Sequence, residues 1–95
     1  MSLTTDFVAE LYRAGTQAEK LTPFEARRLL ERAAVTIRDM RQTALTIPDK
    51  MDERLAIIAD FAKKIAGLPP QLLAHGLLDA ADMIRELRVA IATTA

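Results

Sequence analysis

Residues 22–44, TPFEARRLLERAAVTIRDMRQTA, decide the fold class expected for this chain of 95 residues. Thr22, Pro23 and Glu25 form a capping box, the pattern that satisfies free backbone amides at the start of a helix. Apolar residues then recur at spacings of three and four, which places them on one helical face. They are Ala26, Leu30, Ala33, Ile37, Met40 and Ala44. Pro48 should end this helix, because the residue before a proline is pushed out of the α region.

The same spacing predicts three further helices. The first begins near residue 5 and contains Gly15, the second begins near Asp49, and the third follows Pro69 and Pro70. Gly67 is expected to end the second of these in the left-handed conformation. The composition supports an all-α chain, because 17 alanines and 13 leucines stand against only three valines.

The order of these helices predicts a single helical domain, 1–95, folded as a four-helix up-down bundle made of two helical hairpins, 5–45 and 49–92. Sliding the sequence against itself by 47 residues aligns matching residues of the two hairpins. Among the aligned pairs are Leu21 with Leu68, Pro23 with Pro70, Ile37 with Ile84, Arg38 with Arg85 and Arg41 with Arg88. Chance phasing of two amphipathic helices and an internal repeat both explain the match.

Composition narrows the function classes. The 13 basic and 13 acidic side chains cancel, so no net charge attracts nucleic acid or anionic lipid. No cysteine is present, which excludes disulfides and thiolate chemistry. No apolar run is long enough for a membrane span, and residues 1–6 lack the pattern of a signal peptide. We therefore expect a soluble cytoplasmic protein with no membrane contact.

The apolar arcs of the last two helices are wider than a small bundle needs. This surplus predicts a partner surface, and a second copy of the chain in a two-fold dimer is the expected partner. The candidate interface residues are Ile57, Phe61, Leu72 and Met83. Isolated exposed apolar side chains, which are ordinary on protein surfaces, are the alternative interpretation.

Two sets of arginines are further candidates. Arg38, Arg41, Arg85 and Arg88 are expected at one end of the bundle, where they would bind an anion or an acidic partner. Pairing with the carboxylates Asp6, Asp49, Asp52 and Glu53 is the alternative for this set. The second set, Arg27, Arg28 and Arg32, is a candidate nucleic-acid face, with a solvated charged helix face as its alternative.

No motif indicates catalysis. His75 and Asp79 stand four residues apart, but one histidine and one carboxylate are too few ligands for zinc. No glycine-rich phosphate loop or nucleophile–histidine–acid set is present. We therefore predict no enzyme activity, no metal and no cofactor. The expected function is a small protein-interaction or regulatory module acting through helix–helix contacts, with a nucleic-acid-binding regulator as the alternative.

Overall fold

The computed structural model describes residues 3–93, with side chains from residues 4–92, and within that range it is all-helical. The helices are α1 (Leu3–Thr16), α2 (Pro23–Thr43), α3 (Met51–Lys63) and α4 (Pro70–Thr93). Short 3-10 turns at Ala18–Lys20 and Ile65–Gly67 follow α1 and α3. The prediction of an all-α chain with four helices is confirmed. None of the helices in the described range is long and apolar enough to cross a membrane.

The predicted capping box starts α2. The Glu25 amide donates to Thr22 Oγ1 at 3.1 Å, and the Thr22 amide donates to Glu25 Oε1 at 2.9 Å. The helix ends at Thr43, before Pro48, and its C-cap Ala44 is extended. Lys50 has a φ of 61° and immediately precedes α3, so this helix begins at Met51, close to the predicted start near Asp49.

The expectation for Gly67 is wrong, because no glycine in the described range has a positive φ. The chain instead leaves α3 through a 3-10 turn and becomes extended at Leu68, so no left-handed residue is needed. The turn after α1 is built in the same way. Its Lys20 amide donates to the Gln17 carbonyl at 2.9 Å, and 47 residues later the Gly67 amide donates to the Lys64 carbonyl at 3.1 Å.

The helices pack around a central pair, α2 and α4. Helix α1 packs mainly on α4, and α3 packs on both α2 and α4. The contacts run in opposite chain directions, with Tyr12 at Asp82 and Gly15 at Leu78, so α1 is antiparallel to α4. The contacts of α3 run in the same opposed way along both α4 and α2, so α2 and α4 are parallel to each other.

Each helix of the central pair contributes two buried alanines, which allow a close approach of the two helices. They are Ala33 and Ala34 in α2, and Ala80 and Ala81 in α4. This packing is compatible with a bundle. The expected dimer and internal repeat remain predictions.

Two glycines inside helices allow side chains of neighbouring helices to lie against the backbone. A Cβ at Gly15 in α1 would stand 2.6 Å from Leu78 Cδ2, and a Cβ at Gly76 in α4 would stand 2.8 Å from Phe61 Cδ2. The loss of helix propensity at glycine, about 1 kcal/mol relative to alanine, is therefore offset by closer packing.

Candidate functional site

An apolar strip, defined by Ile57, Phe61 and Leu72, follows the contact line between α3 and α4. The Phe61 ring lies against Gly76. Ile57 is one turn before Phe61 on α3, and Leu72 is one turn before Gly76 on α4. Because the two helices are antiparallel, Ile57 and Leu72 lie on opposite sides of the ring along this line. Ile57 is 50% exposed and Leu72 is 45% exposed.

A charged network borders the strip one turn from Ile57. Arg54 donates to Asp79 Oδ1 at 2.7 Å, and its Nη1 lies 2.8 Å from Glu86 Oε2. The hydrogen bond to Asp79 is the main cause that raises the pKa of Arg54 above its ordinary value, and the bond to Glu86 raises it further. Arg54 is thus held in place and joins α3 to α4 beside the strip.

Met83 does not belong to this surface, and its prediction as an interface residue is wrong. Its side chain is 0% exposed and lies in the core. The reason is the central position of α4, which is covered by α1, α2 and α3. Part of its wide apolar arc is therefore buried within the chain itself. Ile57 and Leu72 remain on the surface, and Phe61 is partly buried against the core.

The arginines expected at one end of the bundle point to different partners. Arg41 Nη2 donates to Asp52 Oδ2 at 2.8 Å, which is one of the carboxylate pairings considered above. Its Nε lies 2.6 Å from Asp52 Oδ1 without the alignment of a hydrogen bond. Arg85 donates to the Tyr12 hydroxyl at 3.0 Å. Arg38 and Arg88 form no ion pair with a described residue, and they line different cavities.

The second arginine set is divided between the two sides of α2. Arg32 lies 3.2 Å from Glu10 Oε2, with its guanidinium 4.4 Å from the centre of the Phe7 ring. Arg28 lies over the Phe24 ring at 5.7 Å, and it shares with Arg32 a cavity of about 470 Å³ between α1 and α2. Arg27 instead lines a groove on the α3 side. The three side chains therefore form no continuous basic face.

This groove, which we call the α2/α3 groove, has a volume of about 590 Å³. Small apolar side chains line it, and charged side chains surround them. The apolar members are Ala34, Val35, Ala59 and Ala62, and the charged members are Arg27, Glu31, Arg38 and Lys63. Val35 was not among the residues predicted for a site, although a valine one turn from both Glu31 and Arg38 on the outer face of α2 was a signal. It is 54% exposed.

His75 and Asp79 do not form a metal site. Asp79 is bound by Arg54 through both carboxylate oxygens, with Arg54 Nε at 3.2 Å from each. Within residues 3–93 no group of three or more histidine, cysteine or acidic side chains is arranged to hold a metal ion. Asp79 therefore helps to hold α3 on α4, while His75 is exposed.

Comparisons with known proteins add no relative from which a function can be transferred. No protein-family model matches the chain, and no curated protein or solved structure is detectably similar to it.

Proposed function

We propose that this chain is a non-enzymatic protein-interaction module of the cytoplasm, which self-associates and acts through helix–helix contacts. The observation that carries the proposal is the apolar strip on α3 and α4. Its two outer members, Ile57 and Leu72, are each about half exposed although they flank a partly buried aromatic ring. Exposed apolar side chains along a helical seam are what a second helix covers.

A second copy of the chain is the occupant that we propose for the strip. A two-fold dimer would place the strip of one protomer against that of its partner, so one surface serves both sides of the interface. A standard interface buries about 800 Å² on each partner, which exceeds what three side chains supply. The dimer must also bury neighbouring parts of α3 and α4, and we expect it to be weak.

The alternative, a nucleic-acid-binding regulator, has less support. Phosphate binding requires several cations on one continuous surface. Arg27 lies on the α3 side of α2, whereas Arg28 and Arg32 line the cavity on the α1 side. Arg32 is also paired with Glu10.

Sedimentation equilibrium tests the proposed dimer. The mass of the wild-type chain should rise with concentration from its monomer value of 10.5 kDa. Leu72→Asp and Ile57→Asp each place a charge in the strip, and each should weaken association at least about tenfold, equivalent to 1.4 kcal/mol. The matched control is Leu45→Asp, which adds the same charge at an apolar side chain that is 81% exposed and outside the strip.

The expected result is dimerisation of the wild type and of Leu45→Asp, with both strip variants monomeric. A wild-type chain that stays monomeric at all concentrations would contradict the proposal. So would strip variants that associate as strongly as the control. Circular dichroism should show equal helix content in all four proteins, because the substituted side chains are on the surface.

We also propose that the two halves of the chain descend from one duplicated hairpin. Support comes from the two 3-10 turns. The hydrogen bond from Gly67 to Lys64 repeats the bond from Lys20 to Gln17, with donor and acceptor each shifted by 47 residues. Sequences of relatives provide the test, because a true repeat should be recognisable at polar positions as well as apolar ones. A match limited to the apolar stripes would contradict duplication.

A further inference from the structure

The α2/α3 groove has a counterpart elsewhere in the same chain. A shift of 47 residues carries the residues that line the groove onto α4 and α1, and most of them onto the contact between these two helices, which we call the α1/α4 seam. Ala59 of the groove corresponds to Tyr12 of the seam, Val35 corresponds to Asp82, and Arg38 corresponds to Arg85. The helices also pack in the same relation, with α3 on α2 and α1 on α4.

Side chains of the chain itself occupy the part of the seam that corresponds to the groove, and a cavity of about 890 Å³ lies beside them, lined by Asp82 and Arg85. The Tyr12 hydroxyl donates to Asp82 Oδ1 at 2.5 Å and accepts from Arg85 Nη1 at 3.0 Å. Leu78 of α4 lies directly against Gly15 of α1. The seam therefore shows what this helix arrangement accommodates, namely an aromatic ring whose hydroxyl is bonded to an arginine and a carboxylate.

The groove lacks the groups that fill the seam. Ala59 provides no ring, and Val35 provides no carboxylate. Arg38, the counterpart of Arg85, is exposed and has no partner among the described residues. The groove therefore retains the arginine of the seam while its ring and carboxylate are missing.

The charge of the groove indicates the chemistry of its occupant. Arg27, Arg38 and Lys63 are exposed around the rim, and none forms an ion pair with another described residue. Glu31 is the single carboxylate among the residues that line the groove. Three cations against one carboxylate favour a negatively charged ligand.

We propose that the α2/α3 groove binds an acidic segment of a partner protein that carries a tyrosine. The tyrosine ring lies over Ala59, in the position that Tyr12 occupies in the seam, and its hydroxyl accepts a hydrogen bond from Arg38. Carboxylates of the same segment lie beside Arg27 and Lys63. This surface is separate from the apolar strip, so the proposal does not depend on the dimer.

A random copolymer of glutamate and tyrosine is a suitable probe, with polyglutamate as the comparison that lacks the ring. Titration of the copolymer into the ¹⁵N-labelled chain should shift the amide signals of Val35, Ala59 and Ala62. Arg38→Glu reverses the key charge on an exposed side chain and should weaken binding at least about tenfold. Polyglutamate should bind more weakly than the copolymer by a similar factor.

A second variant fills the groove from within the chain. Val35→Asp combined with Ala59→Tyr copies Asp82 and Tyr12 beside Arg38, and should raise the melting temperature while abolishing copolymer binding. Leu72→Asp is the control, because it should disrupt the strip and leave copolymer binding unchanged. Loss of self-association and loss of groove binding are thus measured separately.

Several outcomes would overturn the proposal. Equal binding of the copolymer to the wild type and to Arg38→Glu would show that Arg38 does not take part in binding. Equal binding of polyglutamate and the copolymer would show that the groove does not recognise the tyrosine. Salt-sensitive binding of a DNA duplex that shifts the same amides more strongly than the copolymer would assign the groove to nucleic acid instead. Because Arg38→Glu changes only a surface side chain, the test stands even if the double variant fails to fold.

Discussion

The α1/α4 seam and the α2/α3 groove are built by helices in the same relation, yet they present different surfaces. In the seam, Tyr12 joins Asp82 and Arg85, and Leu78 packs on Gly15. In the groove, alanines and a half-exposed valine leave a cavity of about 590 Å³. In one packing arrangement, a few side chains occupy the place that stays open in the other, and the seam has its own cavity of about 890 Å³ beside Asp82 and Arg85.

The largest expected effect concerns the core, where the halves should be equivalent. Ile37 and Ile84 lie 47 residues apart, and both are 0% exposed. Ile37→Ala and Ile84→Ala should each lower the free energy of unfolding by about 3 kcal/mol, because each removes buried apolar volume and leaves a cavity. Urea denaturation provides the measurement. A difference of more than about 1 kcal/mol between the variants would show that the cores are not equivalent.

A smaller effect is expected where the seam requires a close approach. Gly15→Ala should lower the free energy of unfolding by about 1 kcal/mol, because overpacking against Leu78 outweighs the gain in helix propensity. Gly67→Ala is the control, since its Cβ would meet no atom within 4 Å and its φ is not positive. The control should be neutral or more stable by about 0.5 kcal/mol. A melting temperature of Gly15→Ala above that of the wild type would contradict the packing of Leu78 against Gly15.

The polar contact that closes the seam should have a measurable but modest effect. Tyr12→Phe keeps the ring and removes its hydrogen bonds to Asp82 and Arg85, so we expect a loss of about 1 kcal/mol in the free energy of unfolding. In the groove, Arg38→Ala should change stability by less than about 0.5 kcal/mol, because Arg38 has no partner to lose. Equal effects of the two substitutions in urea denaturation would remove the distinction between seam and groove.

The smallest expected change in stability concerns the start of α2, which differs from the start of α4. The amide of Thr22 donates to Glu25, and this bond is the main cause that lowers the pKa of Glu25 below its ordinary value. Thr22→Pro copies Pro69, its counterpart before α4, and removes both the amide hydrogen and the hydroxyl. An NMR titration should therefore show the pKa of Glu25 returning toward the ordinary glutamate value.

The sign of the associated stability change follows from this direction. A carboxyl whose pKa is lowered in the folded state stabilises the fold above its unfolded pKa, and that contribution is lost as the pH falls through the folded value. The wild type should thus lose this contribution in acid, whereas Thr22→Pro should lack it at all pH values. If the pKa of Glu25 is unchanged in Thr22→Pro, the capping box is not the cause of the lowered pKa.

Local signals in the sequence predicted the helices well. The capping box at Thr22 and the spacing from Ala26 to Ile37 correctly indicated where α2 begins and which face it buries. The start near Asp49 was also predicted closely, whereas the left-handed end at Gly67 was not found. Both boundaries of α3 depend on the loops beside it. The left-handed conformation of Lys50 precedes its start, and a 3-10 turn follows its end.

Neighbours across the fold determined the surfaces, and the sequence did not contain this information in a local form. Met83 appeared to be surplus apolar surface, yet it is buried because α4 is central. The four arginines expected together interact with different elements, because Arg41 meets α3 and Arg85 meets α1. Periodicity assigns a residue to a helix face, but only tertiary packing determines what that face contacts.

By itself the sequence determined the all-α class, the capped start of α2 and the apolar stripes, because these depend on interactions within a few residues along the chain. The tertiary structure decided that α2 and α4 form the central pair, that Gly15 and Gly76 accept side chains from other helices, and that Tyr12 and Asp82 meet in the seam while their counterparts in the groove do not. Those features depend on atoms that are distant in sequence, such as Tyr12 and Asp82, and become neighbours only when the helices pack.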